Sequence, residues 1–292
     1  MANSMTGFGR ANVLEDGREL AVELKSVNHR YLDLSFRMPR HVSFLEDEIR
    51  RILTERLTRG HVDVFVTYRN TREDARTAVF DGALLKAYLE AADRCAEQYG
   101  LRNDLAVSSA LRLPDVIDVV EAEEDRDAVS ALLRAALDRA CDELIGMRRL
   151  EGERLCRDLL SRLETVLSLR ERIAERAPLV VLDYRDKLRE RIAALLDSAE
   201  VDEARLASEV AFFADKANID EELVRLQSHV SAARELLENG SAVGRKMDFI
   251  VQEMNREFNT IGSKANDKDI TALVIEGKAE IEKIREQVQN LE

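Results

Sequence analysis

The spacing of apolar residues divides the chain into an opening part with strand character and a longer part with helical character. Alternating apolar positions predict strands over residues 4–37 and another strand over His61–Tyr68. Between them, apolar residues at every third or fourth position predict a helix over Ser43–Leu57. We expect Ser43 to be its N-cap and Glu46 to complete a capping box.

The helical period governs almost everything after residue 80. A helix is predicted from Asp81, its expected N-cap, to Gly100. Leucines at helical spacing then predict one long helix over residues 127–176, which we expect Pro178 to end, since proline lacks an N–H group. Further helices are predicted at about 180–197, 202–216, 220–238, 243–262 and 267–291.

These patterns predict an α+β fold. An N-terminal module of antiparallel strands and helices is expected over residues 1–122, and a mostly helical region over residues 123–292. Two of the predicted helices, 220–238 and 267–291, carry narrow apolar seams of the kind that pack helix against helix. Because such seams and a long uncapped helix need other surfaces to cover them, we expect the protein to form a homo-oligomer.

The predicted helix 243–262 has an unusual polar face. On an ideal helix, one carboxylate and three amides fall in a narrow wedge beside an apolar stripe: Asp248, Gln252, Asn255 and Asn259. Asparagine is a poor helix former, so a face that is merely solvated would more readily carry Glu, Lys or Arg. We therefore interpret the wedge as a binding surface. The opposite flank carries what we interpret as ordinary exposed charge: Lys246, Glu253, Glu257 and Lys264.

The helix that follows Asp220 carries the candidates for catalysis. The spacing of Glu222, Arg225 and His229 places them in one wedge of an ideal helix. A carboxylate and an imidazole can share a proton or a metal ion, and a guanidinium between them can hold a phosphate. The alternative is structural: His229 bonds its neighbours at the edge of the core, and Glu222 pairs with Arg225.

Any metal site should use oxygen ligands. The three cysteines have unrelated spacings and form no CxxC motif, so we interpret them as buried thiols in a reducing cytoplasm: Cys95, Cys141 and Cys156. Hard divalent ions such as Mn²⁺ and Mg²⁺ prefer carboxylates, with one imidazole at most. The candidate ligands are Glu209, Asp215, Glu222, Asp248, Glu253 and Glu257. Because the chain has 57 acidic residues, any single one of them is more often solvated than ligating.

Arginine, asparagine and aromatic residues beside the predicted strands suit RNA. Guanidinium groups pair with phosphates, and rings stack on unpaired bases. The formal net charge is −13, but the first 79 residues are nearly neutral and rich in arginine, so phosphate contacts can be local. The alternative is a β-turn whose side chains satisfy the backbone. The candidate RNA-binding residues are Asn28, Arg30, Tyr31, Arg37, Arg59, Gln252, Asn255, Arg256 and Asn259.

The sequence lacks the signals of several other classes of protein. No window is long and apolar enough for a membrane span, and the first residues lack the basic and apolar regions of a signal peptide. We therefore expect a cytoplasmic protein with no membrane partner. The phosphate-binding motifs GxxxxGK[ST] and GxGxxG, the nucleophile motif GxSxG and the zinc motif HExxH do not occur. We expect no small-molecule cofactor.

Four blocks of sequence resemble one bacterial family. They are SMTGFGR from Ser4, ELKSVNHRYLDLSFRMP from Glu23, ADKANIDEELVRLQSH from Ala214, and GRKMDFIVQEMNREFNTIGSKANDKDIT from Gly244. Together with the ending REQVQNLE, they are similar to the YicC/YloC proteins over essentially the whole chain. The resemblance makes the helices in 202–291 the C-terminal signature of that family. It implies an endoribonuclease that depends on a divalent metal and assembles as a ring-like, hexamer-like homo-oligomer.

The resemblance also favours the catalytic interpretation of three residues. Glu222, Arg225 and His229 belong to one of the matching blocks, and His229 would be a base or a metal ligand. The combined prediction is a cytoplasmic endoribonuclease, dependent on Mn²⁺ or Mg²⁺, that cleaves RNA internally in RNA turnover. Two alternatives stay open. One is a non-catalytic RNA-binding or adaptor protein, and the other is a structural homo-oligomer whose amide wedge lines a subunit interface.

Overall fold

The computed structural model describes residues 3–73, 75–121, 124–195, 201–239 and 243–291, and its fold is α+β, as predicted. The strands are β1 (Gly7–Glu15), β2 (Arg18–Val27), β3 (Leu32–Arg37), β4 (Gly60–Asn70), β5 (Arg76–Phe80) and β6 (Ile117–Glu121). The α-helices are α1 (Glu46–Arg56), α2 (Gly82–Tyr99), α3 (Val107–Ala110), α4 (Arg126–Leu195), α5 (Glu203–Lys216), α6 (Asp220–Asn239), α7 (Val243–Lys264) and α8 (Lys268–Val288). None of the described helices has the length and apolar character that crossing a bilayer requires.

The first four strands form one sheet in the order β1-β2-β4-β3. β1 pairs with β2, and β2 with β4, in antiparallel register, whereas β3 runs parallel to β4. A parallel pair needs a crossover connection, and α1 supplies it by carrying the chain from the end of β3 back to the start of β4. The antiparallel arrangement expected from the sequence therefore holds for β1, β2 and β4 and not for β3.

Alternation along β2 and β4 buries one face of this sheet. Leu20, Val22 and Leu24 of β2 are fully buried, and so are Val62 and Val64 of β4. They pack with α1 and with the first part of α4 in a hydrophobic core that we call the sheet core. The alternating pattern of the sequence thus becomes a sheet with one buried face.

A glycine lets β1 approach α4 closely. A Cβ atom on Gly9 would lie 2.0 Å from the carbonyl oxygen of Ala140 and 2.7 Å from the backbone nitrogen of Leu144. These distances leave no room for any side chain at this position, because protein interiors are close-packed. The SMTGFGR block therefore contains a packing requirement of the fold.

The start of α1 differs from the prediction. The chain forms a 3₁₀ helix over Arg40–Leu45, and α1 begins at Glu46. Ser43 lies inside the 3₁₀ helix, where its hydroxyl donates to the carbonyl oxygen of Arg40 at 2.8 Å. Ser43 as the N-cap of α1, and with it the capping box, is therefore wrong. The helical turn starts earlier because Pro39, with φ at −63°, occupies its N-cap position.

The longest element, α4, belongs to two hydrophobic cores. Residues 129–144 of α4 pack in the sheet core. Residues 159–180 pack against α6, α7 and α8 in a second core, which we call the helical core. The division of the chain into domains after residue 122 stays a prediction, and the two observed cores share α4.

The prediction that Pro178 ends the long helix is wrong. α4 continues through Pro178 to Leu195, so the helix predicted at 180–197 is its last part. Proline removes one helical hydrogen bond and crowds the preceding turn. Ile173 and Val180, on either side of it, are buried in the helical core. This tertiary packing outweighs the local cost of the proline.

The other predicted helices are confirmed, and aspartates begin several of them. Asp202 caps α5 and Asp267 caps α8, each by accepting hydrogen bonds from two backbone N–H groups. Asp81 caps α2, as predicted, by accepting from the N–H of Leu84. Arg176 on α4 donates to Asp267 at 2.8 Å and holds the pKa of that carboxyl below its ordinary value. This contact ties the start of α8 to α4.

The segment 76–121, which we call the arm, contains strands that the sequence pattern does not predict. β5 and β6 pair as a two-stranded antiparallel sheet, and α2 and α3 lie between them in the chain. α2 has no buried residue. Val79, Phe80 and Val119 are 52%, 54% and 65% exposed. The arm thus presents apolar side chains that no described part of the chain covers.

Backbone pairing joins segments that are far apart in the sequence. Ser4 forms a β-bridge with Leu291, and the N–H of Met5 donates to the carbonyl oxygen of Asn290 at 3.0 Å. The Asn28 side chain donates to a backbone carbonyl oxygen of the same C-terminal segment, at 2.7 Å. We call these contacts the clasp. They bring the SMTGFGR block, the VNHR part of the ELKSVNHRYLDLSFRMP block and the ending REQVQNLE into contact with one another.

Candidate functional site

Polar side chains flank the buried apolar stripe of α7 on both sides. The stripe consists of Met247, Val251, Met254, Phe258 and Ile261. On the side of α6 lie the residues that we call the acidic edge: Glu253 and Glu257. Lys264 lies on the same side, further along the helix. On the opposite side of the stripe, by helical geometry, lie the residues that we call the amide edge: Asp248, Gln252, Asn255 and Asn259.

His229 of α6 meets the acidic edge. Ligand atoms of His229, Glu253 and Glu257 all lie within 4.8 Å of one another, and we call these three residues the His229 cluster. Nε2 of His229 is 4.0 Å from Oε1 of Glu257, and Glu257 is only 4% exposed. Two carboxylates and one imidazole can bind one divalent ion, or they can exchange a proton through the imidazole.

An ion pair between a buried carboxylate and a partly exposed ammonium group lies further along the same seam between α6 and α7. Nζ of Lys264 is 2.8 Å from Oε1 of Glu222, and Glu222 is 4% exposed. Its other oxygen, Oε2, is buried and has no hydrogen-bond partner within the described residues. The interpretation of this flank of α7 as ordinary exposed charge is therefore wrong for Glu257, which is buried, whereas the Lys264 side chain is 38% exposed and pairs with a buried carboxylate.

The structure divides the three catalytic candidates of α6 between two positions. Glu222 and His229 lie on the seam with α7, whereas Arg225 is exposed and pairs with Glu221. The structural alternative in which Glu222 pairs with Arg225 is wrong, because the partner of Glu222 is Lys264. The catalytic role of Glu222, Arg225 and His229 stays a prediction.

Of the six predicted metal ligands, Glu253 and Glu257 belong to the His229 cluster, and the other four do not. Glu209 and Asp215 are exposed on α5. Asp248 lies on the amide edge, and Glu222 is held by the ammonium group of Lys264. Within the described ranges, the His229 cluster is the group of His, Cys, Asp or Glu side chains whose ligand atoms lie close enough together to hold an ion.

Side-chain hydrogen bonds link the amide edge in pairs. Gln252 donates to Asp248 at 3.2 Å, and Asn259 donates to Asn255 at 3.2 Å. Each amide uses part of its hydrogen-bonding capacity in the pair and keeps further donors and acceptors for a ligand. Arg256 is exposed on the face of α7 between the two edges. Their role in RNA binding stays a prediction.

A cleft of about 350 Å³ opens beside the clasp, and we call it the arginine cleft. Its lining includes Asn28, Arg30, Arg59, Asp248, Arg285 and Gln289. Nε of Arg59 donates to the backbone carbonyl oxygen of Arg30 at 3.2 Å. The guanidinium carbon of Arg30 lies 5.3 Å from the centre of the Tyr31 ring. Polar and cationic groups from both parts of the chain therefore meet in one cavity.

The cleft unites part of the predicted RNA-binding set and adds one residue to it. Asn28, Arg30 and Arg59 line the cleft. Arg37 lies elsewhere, with its guanidinium carbon 5.2 Å from the centre of the Phe65 ring. Arg285 is absent from the predicted set. Its signal in the sequence is its place in the REQVQNLE block, where it resembles an ordinary charged residue on a helix surface.

Cys95, Cys141 and Cys156 all lie in the described ranges, and they form no disulfide. Cys141 is buried, and this burial raises the pKa of its thiol to about 11, so it stays protonated at neutral pH. Cys95 is exposed, so the expectation of a buried thiol is wrong for this residue. The physical reason is that it lies on α2, which has no buried face.

Both parts of the chain match models of one protein family. The model for the N-terminal region of YicC-like endoribonucleases matches residues 2–157, and the model for their C-terminal region matches residues 173–292. The chain therefore belongs to the YicC-like endoribonuclease family, as the resemblance of its sequence blocks predicts.

Two relatives match over their full length. The "Probable endoribonuclease YicC" of Clostridioides difficile strain 630 is 41% identical over 293 residues, with 100% of both chains covered. The protein of the same name from Haemophilus influenzae Rd is 34% identical over 292 residues, again with 100% of both chains covered. Similarity to these proteins thus extends over both cores and over the site between α6 and α7.

Proposed function

We propose that this protein is an endoribonuclease that cleaves RNA internally with the help of a divalent metal ion and acts in RNA turnover. Its membership of the YicC-like family supports the class of reaction, as do the names of the two relatives. The observation that carries the proposal is the His229 cluster, in which an imidazole and two carboxylates converge on the seam between α6 and α7.

The His229 cluster suits Mn²⁺ or Mg²⁺. Glu257 is 4% exposed, and its ion-pair contact is His229 at 4.0 Å. Burial of a carboxylate costs solvation energy, and a bound cation would offset part of that cost. Carboxylate oxygens with one imidazole are also the ligands that these hard ions accept. When bound, the ion would neutralise charge on the scissile phosphate and acidify a water molecule.

The protein's own side chains have distinct tasks in this proposal. Nε2 of His229 faces Glu257, so it is the atom that would bind the ion or take up a proton. Glu253 and Glu257 would supply the oxygen ligands. The ion pair of the buried Glu222 with Lys264 joins α6 to α7, so we assign these two residues a positioning role.

The exposed face of α7 offers a path for an RNA strand between the acidic edge and the amide edge. Phe249 is 62% exposed on this face, and Arg256 lies on the same face about two turns further along the helix. An exposed ring can stack on an unpaired base, and a guanidinium can contact a phosphate. Stacking needs bases that are not in a helix, so we propose single-stranded or loop RNA as the substrate.

Internal cleavage that needs a divalent ion is the expected result of the direct test. Purified protein with Mn²⁺ should cut an end-labelled stem-loop RNA at internal positions, and EDTA should stop the reaction. A His229→Ala preparation made in parallel controls for contaminating nucleases. Cleavage that survives chelation would remove the metal ion from the proposal. RNA binding without cleavage in either Mn²⁺ or Mg²⁺ would favour the non-catalytic adaptor.

We also propose that the arm joins copies of the chain into a homo-oligomer. Phe80 and Val119 are 54% and 65% exposed on a two-stranded sheet, and an isolated sheet of this size is marginally stable. Exposed apolar groups of this kind mark interaction surfaces. A second copy of the arm has matching apolar chemistry. Head-to-tail repetition of such contacts from subunit to subunit would close the hexamer-like ring that the family resemblance implies.

Light scattering tests this assembly. The wild-type protein should have a mass that is a multiple of 33.1 kDa. Val119→Glu should shift the mass to smaller species without changing the circular dichroism spectrum, because it places a charge in the apolar contact. Val119→Ile is the matched control and should keep the wild-type mass. A wild-type mass of 33.1 kDa at micromolar concentration would contradict the proposal.

A further inference from the structure

The arginine cleft gathers positive charge from three separate segments. Arg30 follows β2, Arg59 precedes β4, and Arg285 stands in the last turn of α8. The clasp holds these segments together, since Asn28 donates to the carbonyl oxygen of Gln289 within the lining of the cleft. Backbone contacts therefore bring these three arginines to the lining of one cavity.

The guanidinium groups of this cleft lack close carboxylate partners. Among the residues that the structure describes, no carboxylate is within ion-pair distance of Arg30 or Arg59, and Arg285 has Glu282 at 3.7 Å. By contrast, Arg50 on α1 has a carboxylate at 3.0 Å. Arginines that surround one cavity without strong partners are suited to a phosphate, which their planar groups bind with paired hydrogen bonds.

The N-terminus of α7 adds to this positive potential. Gly244 lines the cleft one residue after α7 begins, so the positive end of the helix dipole lies at the edge of the cavity. A Cβ atom on Gly244 would lie 3.1 Å from the carbonyl oxygen of Leu291. The glycine therefore keeps this wall of the cleft close to the backbone of the clasp.

One carboxylate, that of Asp248, also lines the cleft. It opposes three guanidinium groups, so the cavity still attracts anions. An ionised carboxylate can only accept hydrogen bonds, and Gln252 already donates to its Oδ2 at 3.2 Å, which leaves Oδ1 for a ligand. The 2′-hydroxyl of RNA is a suitable donor, because it lies beside each phosphate and is missing from DNA.

We propose that the arginine cleft binds one ribose phosphate unit of an RNA strand. Arg30, Arg59 and Arg285 hold the phosphate, and the neighbouring 2′-hydroxyl donates to Asp248. The choice of RNA as the ligand rests on the proposed function. Residues 248 and 257 are separated by about 14 Å along the axis of α7, so the cleft is a binding subsite apart from the His229 cluster. It needs no metal ion.

Fluorescence anisotropy of a short labelled oligouridylate, with the full chain in EDTA, tests the phosphate contact without cleavage. Arg285→Gln should weaken binding about tenfold, as for the loss of a charge-assisted hydrogen bond. It should also flatten the slope of log affinity against log salt by about 0.7 for each phosphate that is no longer neutralised. Arg51→Gln, on an exposed arginine of α1 that pairs with Glu55, is the matched control and should change neither quantity.

Asp248→Ala tests the ribose contact. The wild type should bind oligouridylate more tightly than oligodeoxyuridylate. In the variant, RNA affinity should fall because the 2′-hydroxyl loses its acceptor, whereas DNA affinity should stay or rise because a negative charge is removed. The preference for RNA should therefore disappear.

Oligouridylate with and without a 5′-phosphate identifies the phosphate that is bound. Equal weakening of both probes by Arg285→Gln assigns the cleft to an internal phosphodiester, and weakening of the phosphorylated probe alone assigns it to a strand end. Wild-type affinity in both Arg30→Gln and Arg285→Gln would overturn the inference, as would an RNA preference that survives Asp248→Ala. Failure of metal-dependent cleavage would count against the proposed function and not against this subsite, because binding is measured without metal.

Discussion

His229→Ala should lower the rate of RNA cleavage by about 10²- to 10⁴-fold, the range for the loss of a general acid or base. Glu257→Gln should have a similar effect, because Glu257 belongs to the same cluster. RNA affinity measured in EDTA should stay near the wild-type value, since the arginine cleft is a separate site. Glu238→Gln, on an exposed carboxylate near the end of α6, is the matched control and should be fully active.

A stability measurement separates a catalytic role of the His229 cluster from a structural one. If Glu257 holds a metal ion, Mn²⁺ should raise the Tm of the wild type but not of Glu257→Gln. Without metal, Glu257→Gln should be as stable as the wild type or more so, because it removes a buried charge. If the cluster is structural, His229→Ala and Glu257→Gln should each cost about 1–3 kcal/mol, and activity should fall only with the folded fraction. That outcome would remove the cluster from the mechanism.

Gly9→Ala should destabilise the protein by about 3 kcal/mol, the upper part of the usual range for overpacking. The added Cβ atom would lie 2.0 Å from the carbonyl oxygen of Ala140, which is backbone of α4 and cannot rotate away. β1 and α4 would have to separate, and the buried face of the sheet would pack less closely. Urea unfolding followed by circular dichroism measures the change in the free energy of unfolding.

Gly146→Ala is the matched control for this substitution. Gly146 lies on α4, and apart from its chain neighbours and the adjacent helix backbone, no atom of the described residues is within 4 Å of the position that its Cβ would take. Alanine is the better helix former, so this variant should be more stable than the wild type by about 0.5–1 kcal/mol. If Gly9→Ala unfolds at the same urea concentration as Gly146→Ala, then the close approach of β1 to α4 does not require a glycine at position 9.

Local chemistry explains which parts of the fold could be predicted from the sequence. Asp81 and Asp267 begin helices because capping depends on a few neighbouring residues, and the apolar period identifies the helices that follow. Pro178 shows the limit of local rules. Its cost to a helix is the same wherever it stands, and only the burial of Ile173 and Val180 decides that the helix continues.

The site could be predicted only in part, because its decisive interactions join distant residues. The ion pair of Glu222 with Lys264 spans 42 positions of the chain. Glu257 has the sequence pattern of an exposed residue, and the packing of α6 over it depends on the tertiary fold. The arginine cleft likewise depends on the clasp, which no local pattern encodes. For the same reason β5 and β6, at five residues each and far apart in sequence, are not predicted.

α4 is one continuous helix that contributes side chains to both the sheet core and the helical core. The stretch between the two cores exposes Ile145, Met147 and Leu150. This stretch is stabilised by its helical hydrogen bonds. It is also joined to Ser4, because the side chain of Arg148 donates to the Ser4 carbonyl oxygen and the carbonyl oxygen of Arg148 accepts from the Ser4 N–H. One core can therefore unfold alone only by breaking the helix here, which forfeits the cooperativity of a continuous helix. The two cores are consequently coupled in unfolding, and damage to the sheet core also lowers the population of molecules in which the His229 cluster is assembled.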